Sequence, residues 1–203
     1  MSQSSHIAIA VLAAGASTRM GCPKQLLKWG EKSLIQHAIH TSKNTLAMEV
    51  IVVLGANSED ITFEINTEAV TVIVNNEWQQ GLGKSIASAA HFVLDSKEKV
   101  DGLLIVLVDQ PFVTSDYLNE MLKTFNPNKK EIIATSYSKE KIGVPTLFDK
   151  TYFRELSQLS GDDGAKGIIK THKDLVKVIT PNFKNIDIDT QADYKILYNL
   201  SDN

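Results

Sequence analysis

Through its first half this chain alternates short apolar runs with amphipathic stretches, and that alternation narrows the folds open to it more than any other feature. Ile7 to Ala13, Val50 to Leu54, Val70 to Val74 and Gly102 to Val108 carry no charge and are rich in Val, Ile and Leu. That is the composition of strands covered on both faces of a parallel sheet. Between them, Ser33 to Leu46, Ser58 to Thr67 and Lys84 to Leu94 have helical periodicity. Strand then helix, repeated, predicts right-handed βαβ units and a doubly wound α/β sheet.

After Asp109 the pattern continues less regularly. It predicts helices at Ser115 to Phe125, Lys150 to Leu159, Ala165 to His172 and Gln191 to Asn199. It predicts strands at Glu131 to Ser136 and Val176 to Thr180, with another apolar segment at Ile142 to Phe148. Thr190 is placed to cap the last helix, with Asp193 at the third position of its first turn. No repeat or linker interrupts the chain, and 203 residues suit one α/β domain with a full core.

Composition limits the partners. With 43% apolar and 22% charged residues the chain is globular. A net charge of -3 gives no broad positive field for nucleic acid, so any anion site is local. No apolar run approaches the roughly 18 residues that span a bilayer. The single Cys22 excludes an internal disulfide, and the N-terminus lacks the charged and apolar regions of a leader, so a cytoplasmic location is expected.

In open α/β sheets ligands sit beyond the carboxyl ends of the strands. After the first strand come Ala14, Gly15, Ala16, Ser17, Thr18 and Arg19, then Lys24. Small residues let the backbone approach a ligand and present N–H groups to phosphate. Arg19 adds a planar fork for phosphate oxygens and Lys24 a point charge. The alternative, a glycine turn with two solvated cations, stays open on spacing alone. A Gly-x-Gly-x-x-Gly loop is missing, and the earlier glycine of a P-loop ending in Gly83-Lys84-Ser85 would fall at Trp78. Gly81 and Gly83 make a flexible turn, and Ser85 opens a helix whose N–H groups are able to meet an anion.

The fourth strand ends in Asp109-Gln110-Pro111, which places an acid at the ligand edge suited to a hard cation. Asp187 and Asp189 alternate, so both face one way if extended, and either offers a second carboxylate. Trp78 is read as a stacking surface or as a side chain buried under its loop. His37 and His40, three apart on a helix, and the isolated His91 and His172 are read as surface or packing residues.

Leu12 to Lys24, in the pattern Leu-Ala-Ala-Gly-x-Ser-x-Arg-Met-Gly-x-Pro-Lys, resembles the signature of the MobA-like nucleotidyltransferases. Within them it is similar to the molybdenum cofactor cytidylyltransferase branch. Asn75 to Ser85, Asp109-Gln110-Pro111, Gly143 to Phe148, Gly161 to Ala165 and Asp187 to Thr190 follow in the family's order. The resemblance implies a Rossmann-like three-layer sandwich with a mixed, mostly parallel sheet, the nucleotide-diphospho-sugar transferase fold, over residues 1–203. It implies catalysis by Arg19, Lys24 and Asp109. It implies nucleotide binding by Leu12, Ala13, Ala14, Gly15, Arg19, Lys24, Asn75, Gly81, Ser85 and Asp109, and Mg²⁺ on Asp109 and Asp189.

The implied reaction transfers CMP from CTP to the phosphate of molybdopterin, or molybdenum cofactor, with release of pyrophosphate. A molybdoenzyme or its insertion chaperone is the implied partner. Ala13-Ala14-Gly15, where the guanylyl branch has Gly-Gly, and Pro23, where that branch has Asp, imply CTP over GTP. Lys166 departs from the Arg of many relatives. A guanylyl or sugar-phosphate transferase, and a non-catalytic nucleotide-binding accessory protein, are the competing expectations.

Overall fold

Ile7–Leu12 forms β1, an interior strand of the large sheet, and every one of its side chains is buried. Ile7, Ile9 and Val11 enter one hydrophobic cluster while Ala8, Ala10 and Leu12 enter another, the period-two division of a strand covered on both faces. In the computed structural model, which describes residues 5–138, 141–184 and 186–201, the sheet that contains this strand is the middle layer of three. The leader reading rests mainly on residues 1–4, which lie outside the described residues.

The other elements in chain order are β2 (Lys28–Trp29), β3 (Lys32–Ser33), α1 (Leu34–Lys43), β4 (Glu49–Leu54), α2 (Ser58–Glu64), β5 (Thr71–Val74), α3 (Leu82–Asp95) and β6 (Gly102–Leu107). Then come α4 (Ser115–Thr124), β7 (Ile132–Ser136), β8 (Ile142–Asp149), α5 (Phe153–Leu156), α6 (Lys166–Thr171), β9 (Val176–Ile179) and α7 (Gln191–Ser201). The large sheet runs β5-β4-β1-β6-β8-β7-β9. Its strands are parallel except β8, which is antiparallel to both β6 and β7. Side chains of α1, α2, α4 and α7 pack on one face, and those of α3, α5 and α6 on the other. The mixed, mostly parallel α/β sheet matches the sequence expectation.

The chain moves outward from β1 through β4 to β5, then returns to the other side of β1 with β6. The β1/β6 boundary is therefore a topological switch point, where loops diverge and leave a crevice.

Helix ends follow local chemistry. Ser33 and Gln36 form a reciprocal capping box on α1. Asp193 accepts from the Thr190 N–H at 2.8 Å, and Thr190 Oγ1 accepts from the Asp193 N–H at 3.2 Å, as the spacing predicts. Such caps contribute about 1 kcal/mol.

Other ends differ from the periodicity. α2 stops at Glu64, since residues 65–68 fold into turns with Glu68 N–H on the Ile65 carbonyl. α3 starts at Leu82, ahead of the expected Lys84. The predicted helix from Lys150 divides into a 3-10 turn, Lys150–Tyr152, and the short α5. The β2/β3 hairpin has no counterpart among the expected elements. It turns at Gly30, whose φ of 59° favours glycine.

Candidate active site

A cleft of about 510 Å³ opens at the carboxyl ends of β1 and β6. Leu12, Ala13, Ala14 and Gly15 carry β1 into it, and Arg19 and Lys24 continue the same wall. Leu107 and Asp109 bring in β6, Gly81 and Ser85 belong to the start of α3, and Asp189 comes from the segment before α7. Asn75 is the one expected residue not brought to the cleft surface. It is buried, with Nδ2 donating to Ser85 Oγ at 3.2 Å and Oδ1 accepting from Glu77 N–H at 2.9 Å.

Lys24 Nζ lies 2.6 Å from Asp109 Oδ2 and 3.4 Å from Asp189 Oδ1, and it donates to the Ile188 carbonyl at 3.1 Å. Arg19 Nη2 lies 3.0 Å from Asp189 Oδ2. Burial works against the Lys24 charge, but the Asp109 and Asp189 carboxylates outweigh it and raise the Lys24 pKa. Asp109 is pushed up by burial, against the pull of Lys24, and the charges of Asp187 and Asp189 add to the rise. Ile188 N–H donates to the Asp109 carbonyl at 2.9 Å, which docks the Asp187 to Asp189 segment on the end of β6. Asp187 is directed differently from Asp189. Its Oδ1 accepts from Gln110 Nε2 at 2.8 Å, and Gln110 also donates to the Tyr137 hydroxyl.

Asp109 Oδ1 is buried without a hydrogen-bond partner among the described residues. An anionic oxygen left undonated, beside a second carboxylate, is the donor chemistry of a hard divalent cation. Among the described residues no group of three or more His, Cys, Asp and Glu gathers as a metal cluster. A cation here would take the rest of its shell from ligand or water oxygens, as Mg²⁺ commonly does.

Three contributors have no role in the sequence reading. Gln25, entirely buried, donates to the carbonyls of Ala13 and Gly15, both at 2.8 Å. Asp162 reaches the cleft on a strap held to the turn before α3 by Gly161 N–H donating to the Gln80 carbonyl at 2.7 Å, and to α3 itself by Gly83 N–H donating to the Gly161 carbonyl at 2.8 Å. Gly55 leaves room for Trp78, since a Cβ there would come within 2.6 Å of the Trp78 Cβ. Half-buried Trp78 thereby both packs against its loop and faces the cleft. The Gly-rich spelling of Gly161-Asp162-Asp163-Gly164 was the available signal for the strap.

Two cations and two acids meet beside a loop of small residues at the switch point of the α/β sheet, an arrangement with the charges to receive an anionic ligand. Residues 9–176 match the MobA-like NTP transferase domain, and the chain belongs to that family of nucleotidyltransferases. Over 201 residues it is 30% identical to the nicotine blue oxidoreductase of Paenarthrobacter nicotinovorans, covering 92% of this chain and 94% of that one. Among solved structures it resembles a homologue of Mycobacterium tuberculosis Rv0371c from Mycobacterium sp. strain JC1, with a TM-score of 0.83, 25% identity and 96% of each chain covered. It also shares the fold of M. tuberculosis Rv0371c crystallised with manganese, at a TM-score of 0.79 and 24% identity over 96% of this chain and 99% of that one. No helix among the described residues is long and apolar enough to cross a membrane.

Proposed function

We propose that this protein transfers CMP from CTP to the terminal phosphate of molybdopterin, releasing pyrophosphate, and that residues 1–203 form one domain for that purpose. The observation that carries this reading is the convergence of Arg19, Lys24, Asp109 and Asp189 on one cleft. An acceptor phosphate oxygen attacks the α-phosphorus of CTP, the bond to the bridging oxygen of the β-phosphate breaks, and pyrophosphate departs. The chain supplies position and charge and no covalent nucleophile.

Leu12 to Gly15, Gly81 and Ser85 hold the nucleotide, and Asn75 fixes Ser85 from behind. Arg19, 70% exposed at its side chain, is free to turn from Asp189 toward a triphosphate, and Lys24 offsets charge on the departing pyrophosphate. Asp109 and Asp189 would hold the divalent cation, and the manganese complex of M. tuberculosis Rv0371c, a protein of the same fold, motivates looking for one. When bound, Mg²⁺ supplies Lewis-acid polarisation of the phosphate oxygens. The single Cys22 suits work in a reducing cytoplasm, and a molybdoenzyme or its insertion chaperone would receive the product.

Ala13, Ala14 and Gly15 line this part of the cleft, and an added methyl group from Ala at these small positions narrows the space for a purine, which supports CTP over GTP. Pyrophosphate release tests the whole reading, with CTP, GTP and ATP each offered with molybdopterin and with a panel of sugar 1-phosphates. Release with CTP and molybdopterin supports it. Release with GTP moves the assignment to the guanylyl branch, and release with a sugar phosphate moves the acceptor. The relative named an oxidoreductase favours a second reading, reduction of a small molecule on this scaffold. Reduced nicotinamide consumed without pyrophosphate release would decide for that.

A further inference from the structure

The amide of Gln25 has no exposed surface, yet it borders the floor of the cleft. Its Nε2 donates to the carbonyls of Ala13 and Gly15 at 2.8 Å each. Both carbonyls can only accept, so the nitrogen is the atom that faces them. Gln25 Oε1 accepts from Ser17 Oγ at 3.3 Å, and Ser17 Oγ accepts from the Lys24 backbone N–H at 3.1 Å. The chain of bonds runs from Lys24 back to β1, and every polar atom of the Gln25 side chain is used.

In a planar trans peptide the C=O and the following N–H point in opposite directions. Drawing the Ala13 and Gly15 carbonyls onto Gln25 therefore turns the N–H groups of Ala14 and Ala16 away from it. Both residues line the cleft, and neither N–H has a protein acceptor among the described residues. Ser17 continues the loop at a φ of 54°, a conformation that a non-glycine residue adopts only when neighbours hold it.

We infer that Gln25 is a positioning residue whose side-chain amide locks the peptide planes so that the Ala14 and Ala16 N–H groups face the anionic oxygens of the nucleotide. Resting on the nucleotide-site reading above, this adds what shapes that site. An isosteric acid removes both donors and sets a carboxylate against two carbonyls. An isosteric thioether removes the donors without adding charge.

The test compares the intact protein with Gln25→Glu and Gln25→Met, in Mg²⁺ buffer, by calorimetric binding of CTP and of inorganic tripolyphosphate. Alongside, the ¹⁵N–¹H signals of Ala14 and Ala16 are followed as tripolyphosphate is added. Both ligands should bind about tenfold more weakly, a loss worth one hydrogen bond to a charged group, and the two amide signals should stop responding. A merely structural role would lower the melting temperature and leave affinity and amide shifts intact in protein held well below it. That result, in either folded variant, overturns the inference. Should Gln25→Glu not fold, Gln25→Met decides alone, and Ser17→Ala, which frees Oε1, should weaken binding in the same direction. Unmodified protein that binds neither ligand removes the nucleotide-site reading itself, whereas equal binding by all forms removes only the role of Gln25.

Discussion

Lys24 Nζ stands 2.6 Å from one carboxylate oxygen of Asp109 while the other, Oδ1, is buried without a partner. The ammonium touches Asp109, Asp189 and the Ile188 carbonyl together, so it is a counter-cation built into the place where the acids converge. Lys24→Met should raise the Mn²⁺ affinity of nucleotide-free protein, by roughly tenfold if one ion-pair contact worth 1.4 kcal/mol is relieved. It should also weaken CTP binding. Electron paramagnetic resonance titration of Mn²⁺ reads the first effect, and an unchanged affinity would separate Lys24 from the metal acids.

Arg19→Ala should barely alter stability. Its side chain is 70% exposed and its partner Asp189 39%, so the pair is worth at most about 1 kcal/mol. Nucleotide binding should suffer more, with a loss that grows from CMP to CTP. Equal relative affinities for CMP and CTP in the variant would remove Arg19 from the phosphate site.

Under the proposed chemistry, Asp109→Asn should leave a folded protein and abolish metal-dependent turnover, because the amide keeps the shape and loses the charge that would retain the cation. The stability lost should stay under the roughly 3 to 5 kcal/mol of an orphaned buried charge, since Lys24 retains Asp189 and the Ile188 carbonyl. Asp189→Asn should likewise stop turnover. Full activity of either variant at limiting Mg²⁺ would take that residue out of the metal site.

Two glycines of the cleft should respond in opposite ways. Nothing lies within 4 Å of a Cβ added at Gly15, so Gly15→Ala should keep its melting temperature and lose nucleotide affinity. A Cβ at Gly81 would overlap the Gly161 backbone, and the φ of 93° there adds strain. Gly81→Ala should therefore cost on the order of 2 kcal/mol or more in stability. Denaturant midpoints with parallel CTP titrations check both. A stable Gly81→Ala would mean that the strap yields easily.

His37 predicts an acid-side loss of stability. Its Nε2 lies 2.9 Å from the Pro111 carbonyl, and burial lowers its pKa below the ordinary 6.5, helped by His40 and Lys32 against the pull of that carbonyl. The unfolded chain takes up the proton first. The contribution is whole above pH 6.5 and declines as the pH falls through the lowered folded value. Urea midpoints at pH 7.5 and 5.5 should therefore differ less for His37→Gln than for the unmodified protein, and an equal difference would exclude His37 as a source.

The sheet was legible because strands such as Val50 to Leu54 are buried on both faces and so are spelled as unbroken apolar runs. Asp109 is conspicuous in the sequence as a charge just past a strand's carboxyl end and Lys24 as a cation in the loop that follows β1, and the structure brings the two together. Gln25 was not legible, since its role depends on which way two carbonyls point, and side-chain pattern carries no peptide orientation. Asn75 had the right neighbours in sequence, but its amide is turned inward to Ser85. The antiparallel direction of β8 depends on pairing with β6 and β7, which no local periodicity reports.

Asp109 takes its place when β6 pairs with β1, but Asp189 lies past the family match at residues 9–176 and arrives only when Ile188 docks on Asp109. Under the proposed chemistry, a half-synthesised or clipped chain that stops before Ile188 has the nucleotide loop and one acid, and so offers a berth without a trigger. Such fragments would be silent, neither wasting triphosphate nor labelling the wrong acceptor.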